Sequence, residues 1–140
     1  MEDLSLHILD IVENSIRAKA RNIGIRVVQD TEQDTLMIEI TDDGEGMDQE
    51  TAKRSSDPFF TTKGVKKVGL GLPFLAQSAE EAEGTLNVES SPGKGTTVRA
   101  VFKLGHIDRR PLGNLHETVR CLRATHPEVN IDFEYLTSRK

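Results

Sequence analysis

The chain is poor in the residues that build metal clusters, disulfides and aromatic cores. Its 140 residues hold one cysteine, no tryptophan, one tyrosine and five phenylalanines. A single thiol, Cys121, excludes an internal disulfide and a cysteine-based zinc cluster. The longest apolar runs are a handful of residues, too short for a membrane-spanning helix, so no membrane partner is expected. The opening MEDLSLHILD is acidic and lacks a small-residue cleavage site, so it does not read as a signal peptide. The expected compartment is the cytoplasm. Positive charge is not in excess either. A formal net charge of −5 argues against a phosphate-neutralising face, and no nucleic-acid partner is expected. No repeat or low-complexity tract is visible.

What is present suits one soluble globular domain with a single core: 36% hydrophobic and 29% charged residues. Leu4, Ile8, Ile11, Val12, Ser15 and Ile16 recur every three or four positions, which predicts a helix over 4–20, with Asp3 as N-cap and Gly24 as its stop. Residues 23–28 and 35–41 alternate apolar and polar and read as two strands joined by a polar turn, Asp30 to Asp34. A short helix over 48–55 and a glycine-rich tract, PFFTTKGVKKVGLGLPF (58–74), follow. Leu72 to Glu83 reads as a helix with Pro73 in its first turn, ending at Gly84. Residues 85–90 and 96–104 form a second strand pair around the turn SPGKG. A Pro-containing link, a helix-like run (Leu112, Leu115, Val119, Leu122) and a strand over 129–136 close the chain.

Strands that arrive as adjacent pairs favour antiparallel or mixed pairing over βαβ crossovers. The expected fold is therefore α+β: a two-layer α/β sandwich with a mixed, mostly antiparallel sheet and helices on one face. The tail stripe is read as core packing or an extra sheet edge, with a partner-docking, self-associating helix (a homodimer) as the alternative. Cys121, beside that stripe, is read as a small buried hydrophobe.

Three polar sites carry the chemistry. On the first helix, His7, Asp10 and Asn14 fall together opposite the apolar stripe. That is either a solvated face or a convergence of a carboxylate, able to order a nucleophile, with an amide oxygen suited to magnesium. Asp42-Asp43-Gly44-Glu45-Gly46-Met47 is either an acidic turn or a place where backbone is approached closely by a ligand, with a carboxylate at a strand end to accept from an amino group such as adenine's. Gly69-Leu70-Gly71 stands directly before a helix, whose free N–H groups favour an anion. The neighbouring Lys63, Lys66 and Lys67 either decorate a loop or face phosphates. Neither the P-loop nor the dinucleotide fingerprint occurs. Taken together, a magnesium ligand, an adenine acceptor and a phosphate-binding helix start describe one nucleotide pocket.

These motifs resemble the GHKL ATPase superfamily of gyrase, Hsp-type chaperones, histidine kinases and mismatch-repair proteins. HILDIVENSIRAKA resembles its N box, DDGEGM its first glycine box, VGLGL its second, and GKGTTVRAVF its closing strand. PFFTTK before GLGL is similar to the F box and lid of sensor histidine kinases. The resemblance covers residues 4–104, and implies the Bergerat ATP-binding fold over 1–104 with a C-terminal extension, 105–140, packed on it. It implies ATP and Mg²⁺ as cofactors. Asn14 would be the magnesium ligand, Asp42 the adenine acceptor, and Asp10 the catalytic group that orients the incoming nucleophile. Gly44, Gly46 and Met47 would line the base. Gly69, Leu70 and Gly71 would present backbone N–H groups to phosphates, Lys63 would meet the terminal ones, and Thr96 would help hold the carboxylate and its water.

Two positions depart from the family pattern. Asp10 stands where hydrolysing members carry glutamate, and Lys67 where the second glycine box usually begins with glycine. None of the four histidines lies in a phosphoacceptor setting, so a stand-alone catalytic module is expected. Its implied activity is Mg-ATP-dependent phosphoryl transfer to a partner protein. The alternative is a regulatory binding module, anti-sigma-like, switched by ATP occupancy with little or no catalysis.

Overall fold

Leu4, Ile8, Ile11, Val12 and Ser15 are all buried along one side of α1 (Leu4–Arg17). The helix stops earlier than the apolar spacing predicts. Lys19 takes the left-handed conformation (φ 67°), and the N–H groups of Lys19 and Ala20 close back on the carbonyls of Ile16 and Ser15 at 2.9 and 3.1 Å. This is a Schellman closure built without glycine. Gly24, expected as the stop, instead lies inside a strand, where a Cβ would meet Thr41 Oγ1 at 2.8 Å.

The structure, a computed structural model, describes residues 4–46, 71–105 and 113–138. After α1 come β1 (Asn22–Asp30), β2 (Thr35–Asp42), α2 (Gly71–Glu81), β3 (Thr85–Ser91), β4 (Gly95–Lys103), α3 (Leu115–Thr125) and β5 (Asn130–Ser138). The expected helix over 48–55, most of the glycine-rich tract, the Asp3 cap and the link around Pro111 lie outside the described residues.

The five strands form one sheet in the order β3-β4-β2-β1-β5. Three of its pairings are antiparallel, and β5 lies parallel to β1. On one face Ile23, Ile25 and Val27 of β1, Leu36, Ile38 and Ile40 of β2, and Val98, Ala100 and Phe102 of β4 are buried. The buried residues of the three described helices join the same cluster, so these helices cover that face. Each fully buried side chain of this size contributes roughly 1.5–3 kcal/mol. The fold is the expected α+β sandwich with a mixed, mostly antiparallel sheet.

The turns follow their sequences. Lys94 N–H bonds to Ser91 O at 3.0 Å, with Pro92 second and Gly93 (φ 77°) third, the signature of a type II turn. Asp30 Oδ1 accepts from the N–H groups of Glu32 and Gln33, which shapes the β1–β2 turn.

The C-terminal segment builds into the same core. Leu115, Val119 and Leu122 of α3 are buried with Val129 and Ile131, and β5 extends the sheet edge. Asn114 caps α3 by accepting from Glu117 N–H at 3.0 Å. The Arg123 guanidinium donates to Ile131 O at 2.7 and 3.1 Å, and His126 Nε2 lies 3.0 Å from Glu13 Oε1 on α1. Cys121 is exposed, contrary to the burial expected of it. Its position, about 100° of helix turn from buried Leu122, points it away from the core.

Candidate functional site

β2 runs straight into the acidic-glycine motif, and the first two aspartates do different work. Asp42, the last residue of β2, is half-buried, and both its oxygens are held: Oδ2 accepts from Ser15 Oγ at 2.7 Å and Oδ1 from Gly44 N–H at 2.9 Å. Asp43 points the other way. Its Oδ1 accepts from the N–H groups of Arg21 and Asn22 at 2.8 and 2.9 Å, and Oδ2 from Asn22 Nδ2 at 2.8 Å. The Asn22 side-chain amide, then the two backbone N–H groups, lower its pKa to about 2. Asp43 therefore staples the motif to the start of β1, and Asp42 is the carboxylate left facing the helix layer.

The glycines are demanded first by the chain itself. A Cβ on Gly44 would stand 2.9 Å from Ala18 O, the carbonyl that accepts from Glu45 N–H at 2.8 Å. Gly46 has φ 74°, and a Cβ there would fall 2.1 Å from Ser91 O. On the other side, a Cβ on Gly95 would come within 2.0 Å of Asp42 O. The motif is thus threaded between the end of α1 and the β3–β4 turn, where Gly93 N–H bonds Glu45 O at 2.7 Å. Three backbone segments meet closely around one carboxylate.

Thr96 is the register partner of Asp42 across β2 and β4, on the helix-covered face. Its hydroxyl lies 2.8 Å from Ser90 Oγ, which is also 2.9 Å from Gly95 O. With the Ser90 proton given to that carbonyl, Thr96 donates to Ser90 and keeps its own lone pairs as acceptors. A crevice of about 160 Å³, lined by Ser90, Gly95 and Thr96, adjoins this pair.

On α1, Asp10 is exposed and Asn14 half-buried one turn later. Asn14 Oδ1 accepts from Arg17 Nη1 at 2.7 Å, so the amide oxygen already binds a cation. His7, expected on the same polar side, is buried at 2% exposure, whereas Asp10 stays in solvent. Ser15 provides the link: its neighbour Asn14 and its own bond partner Asp42 belong to the two halves of the site. Sequence reasoning set Ser15 in the apolar stripe. The signal was a hydroxyl among buried aliphatics, which must find an acceptor.

Gly71 opens α2, which packs against α1. Met47, Lys63, Gly69 and Leu70 lie outside the described residues. Among the described residues no group of three or more His, Cys, Asp or Glu side chains has metal-binding placement. Asn14 Oδ1 is a hard oxygen donor of the kind magnesium takes. A wider, open cavity of about 500 Å³ lies elsewhere, between the start of α3 and Tyr135 of β5, and includes none of these residues.

Residues 2–106 match the family described as histidine kinase-, DNA gyrase B-, and HSP90-like ATPase. A putative sensor protein of Shewanella frigidimarina is 34% identical over 103 residues, which are 72% of this chain and 16% of that protein. Sporulation kinase C of Bacillus subtilis is 33% identical over 96 residues, 69% of this chain and 22% of its own length. The sensor protein kinase FleS of Pseudomonas aeruginosa is 36% identical over 110 residues, 79% and 27% respectively. The chain thus spans only 16 to 27% of the length of these three relatives.

Proposed function

The chain belongs to the histidine kinase-, DNA gyrase B-, and HSP90-like ATPase family, and from that premise we propose that it binds Mg-ATP and passes the terminal phosphoryl group to a partner protein. The observation that carries this reading is the carboxylate of Asp42, fixed by Gly44 N–H and by the Oγ of Ser15, the residue that follows Asn14 on α1. A carboxylate has about four lone-pair positions. With one bond on each oxygen, acceptor capacity remains for adenine's exocyclic amine, and Thr96 across the strand pair adds a second acceptor. Asn14 would supply an oxygen to magnesium, with Arg17 turning away into solvent. The Gly71 end of α2, with Gly69 and Leu70, would give backbone N–H groups to phosphate oxygens, and Lys63 would approach the terminal ones. Bound magnesium neutralises charge on the phosphates. The protein's own share is to position and to exclude water.

Exposed Asp10, one turn before Asn14, would orient the incoming nucleophile of the partner. We place this activity in the cytoplasm, where ATP is available; among the described residues no helix is long and apolar enough to cross a membrane. The test is transfer from γ-labelled ATP to candidate partners by wild type and Asp10→Asn. Loss of transfer with retained ATP affinity is expected. ATP binding that alters partner affinity equally in both forms, without transfer, would replace the kinase reading with an occupancy switch.

A further inference from the structure

The face of the sheet away from the helices has an order of its own. Its side chains alternate with the core residues, and the strand registers align them in rows across the sheet. One row reads Arg99, Glu39, Arg26, Glu134, because Arg99 pairs with Glu39, Glu39 with Arg26 and Arg26 with Glu134. The signs alternate strand by strand. Arg99 Nε donates to Glu39 Oε2 at 2.9 Å, and Arg26 Nε lies 3.6 Å from Glu134 Oε1. The next row along the strands is apolar: Val101, Met37, Val28 and Leu136, again in direct register. Three of these are half-buried, and Leu136 is 41% exposed, one of two large hydrophobics left open among the described residues. On the other side of the charged row stand Thr97, Thr41, Gly24 and the exposed carboxylate of Asp132. No described helix packs on this face.

We infer that this face binds a second copy of the chain, sheet against sheet, about a two-fold axis parallel to the strands between β2 and β1. The charge row selects that occupant. Rotation about such an axis reverses the row, so plus-minus-plus-minus lies over minus-plus-minus-plus. Arg99 then faces Glu134 of the second copy, and Glu39 faces its Arg26. The same rotation lays the apolar row on itself, with Met37 over Val28. An unrelated partner would have to match an alternating row and an apolar row at once; a second copy does so by symmetry, as an isologous interface must. Facing sheets stack about 10 Å apart with strands aligned to within about 30°. Rotation about that axis brings four strands of each copy face to face, which at about 4.8 Å spacing and three rows give a footprint on the order of 400 Å² per copy, about 800 Å² in total, below the size of a standard specific interface. The dimer is therefore a weak, concentration-dependent one. It leaves the helix-covered face, with Asp42 and Asn14, free in both copies, so it stands apart from the proposed ATP chemistry.

Sedimentation velocity of the full chain over a micromolar-to-millimolar series tests this, without nucleotide. Wild type is expected to pass reversibly from monomer to dimer. Met37→Lys and Arg26→Glu should each raise the dimer dissociation constant at least about tenfold, with unchanged circular dichroism. The decisive arm is a charge swap. Glu134→Arg alone should weaken the dimer, and adding Arg99→Glu should restore it, because the pair between copies becomes complementary again. Both pairs within the chain are then like-charged, so a merely intramolecular role predicts further loss instead. A wild type that stays monomeric, a dimer unmoved by these changes, or failure of the swap would overturn the inference. If Met37→Lys does not fold, the exposed charge variants decide it.

Discussion

Replacing Asp42 with asparagine separates the fold from the binding site. Gly44 N–H, 2.9 Å from Oδ1, fixes the amide oxygen on its own side and places the amide nitrogen where Oδ2 stood. Ser15 Oγ, now facing a donor at 2.7 Å, can accept from it by turning its proton to Ile11 O at 3.2 Å. Every buried polar group keeps a partner, so the stability change should stay within about 1 kcal/mol. Binding should not survive as well. On the Oδ2 side an acceptor becomes a donor, and the charge that strengthens a bond to adenine's amine is gone. A hydrogen bond to a charged group contributes roughly 1.5–3 kcal/mol, so the dissociation constant for Mg-ATP should rise about 10- to 150-fold. Isothermal titration reads the affinity and urea unfolding the stability. Unchanged affinity would refute Asp42 as the base acceptor. A loss of several kcal/mol would refute the proton-turning argument.

Asp43→Asn tests the staple through pH. A folded pKa lowered to about 2 means that the stabilisation is fully present above the ordinary carboxylate value and is lost as pH falls toward 2. The variant should be less stable than wild type at neutral pH, with urea midpoints converging below pH about 4; a gap constant with pH would rule the staple out. Leu122→Ala asks whether the C-terminal segment shares the core. Leu122 is 1% exposed, so the cost should be about 2–5 kcal/mol in a single cooperative unfolding transition. A separate low-stability transition, or no shift, would show an independent appendage.

The elements were largely legible because their signals are local. The three- and four-residue spacing from Leu4 to Ile16, the alternation in β1, β2 and β4, and the SPGKG turn each encode their own geometry. What escaped was set by distant partners. The end of α1 depends on Lys19 tolerating φ 67°, at about 1–2 kcal/mol for a non-glycine residue, which no residue type announces. Gly24 was misread as a helix stop because Thr41, which crowds it, lies in another strand. His7 belongs to the helical side that includes Asp10 and Asn14, yet it is buried while Asp10 stays in solvent. The parallel β1–β5 pairing joins residues more than a hundred positions apart, beyond any local pattern. Within the site, motif position distinguished Asp42 from Asp43. Only the geometry showed that Ser15 holds the first and that Arg21 and Asn22 hold the second. The glycines were read as room for a base, but the atoms that forbid a Cβ at Gly44 and Gly46 belong to this chain.

The central claim is that Asp42, held by Ser15 and Gly44, reads an adenine amine. Titrating the same protein with Mg-ATP and Mg-GTP tests it most directly, because guanine presents a carbonyl oxygen where adenine presents its amine, and a carboxylate repels it. The account predicts saturable heat with Mg-ATP and affinity for Mg-GTP weaker by at least about tenfold, or 1.4 kcal/mol. Equal affinity for the two, or no binding of either, would contradict it.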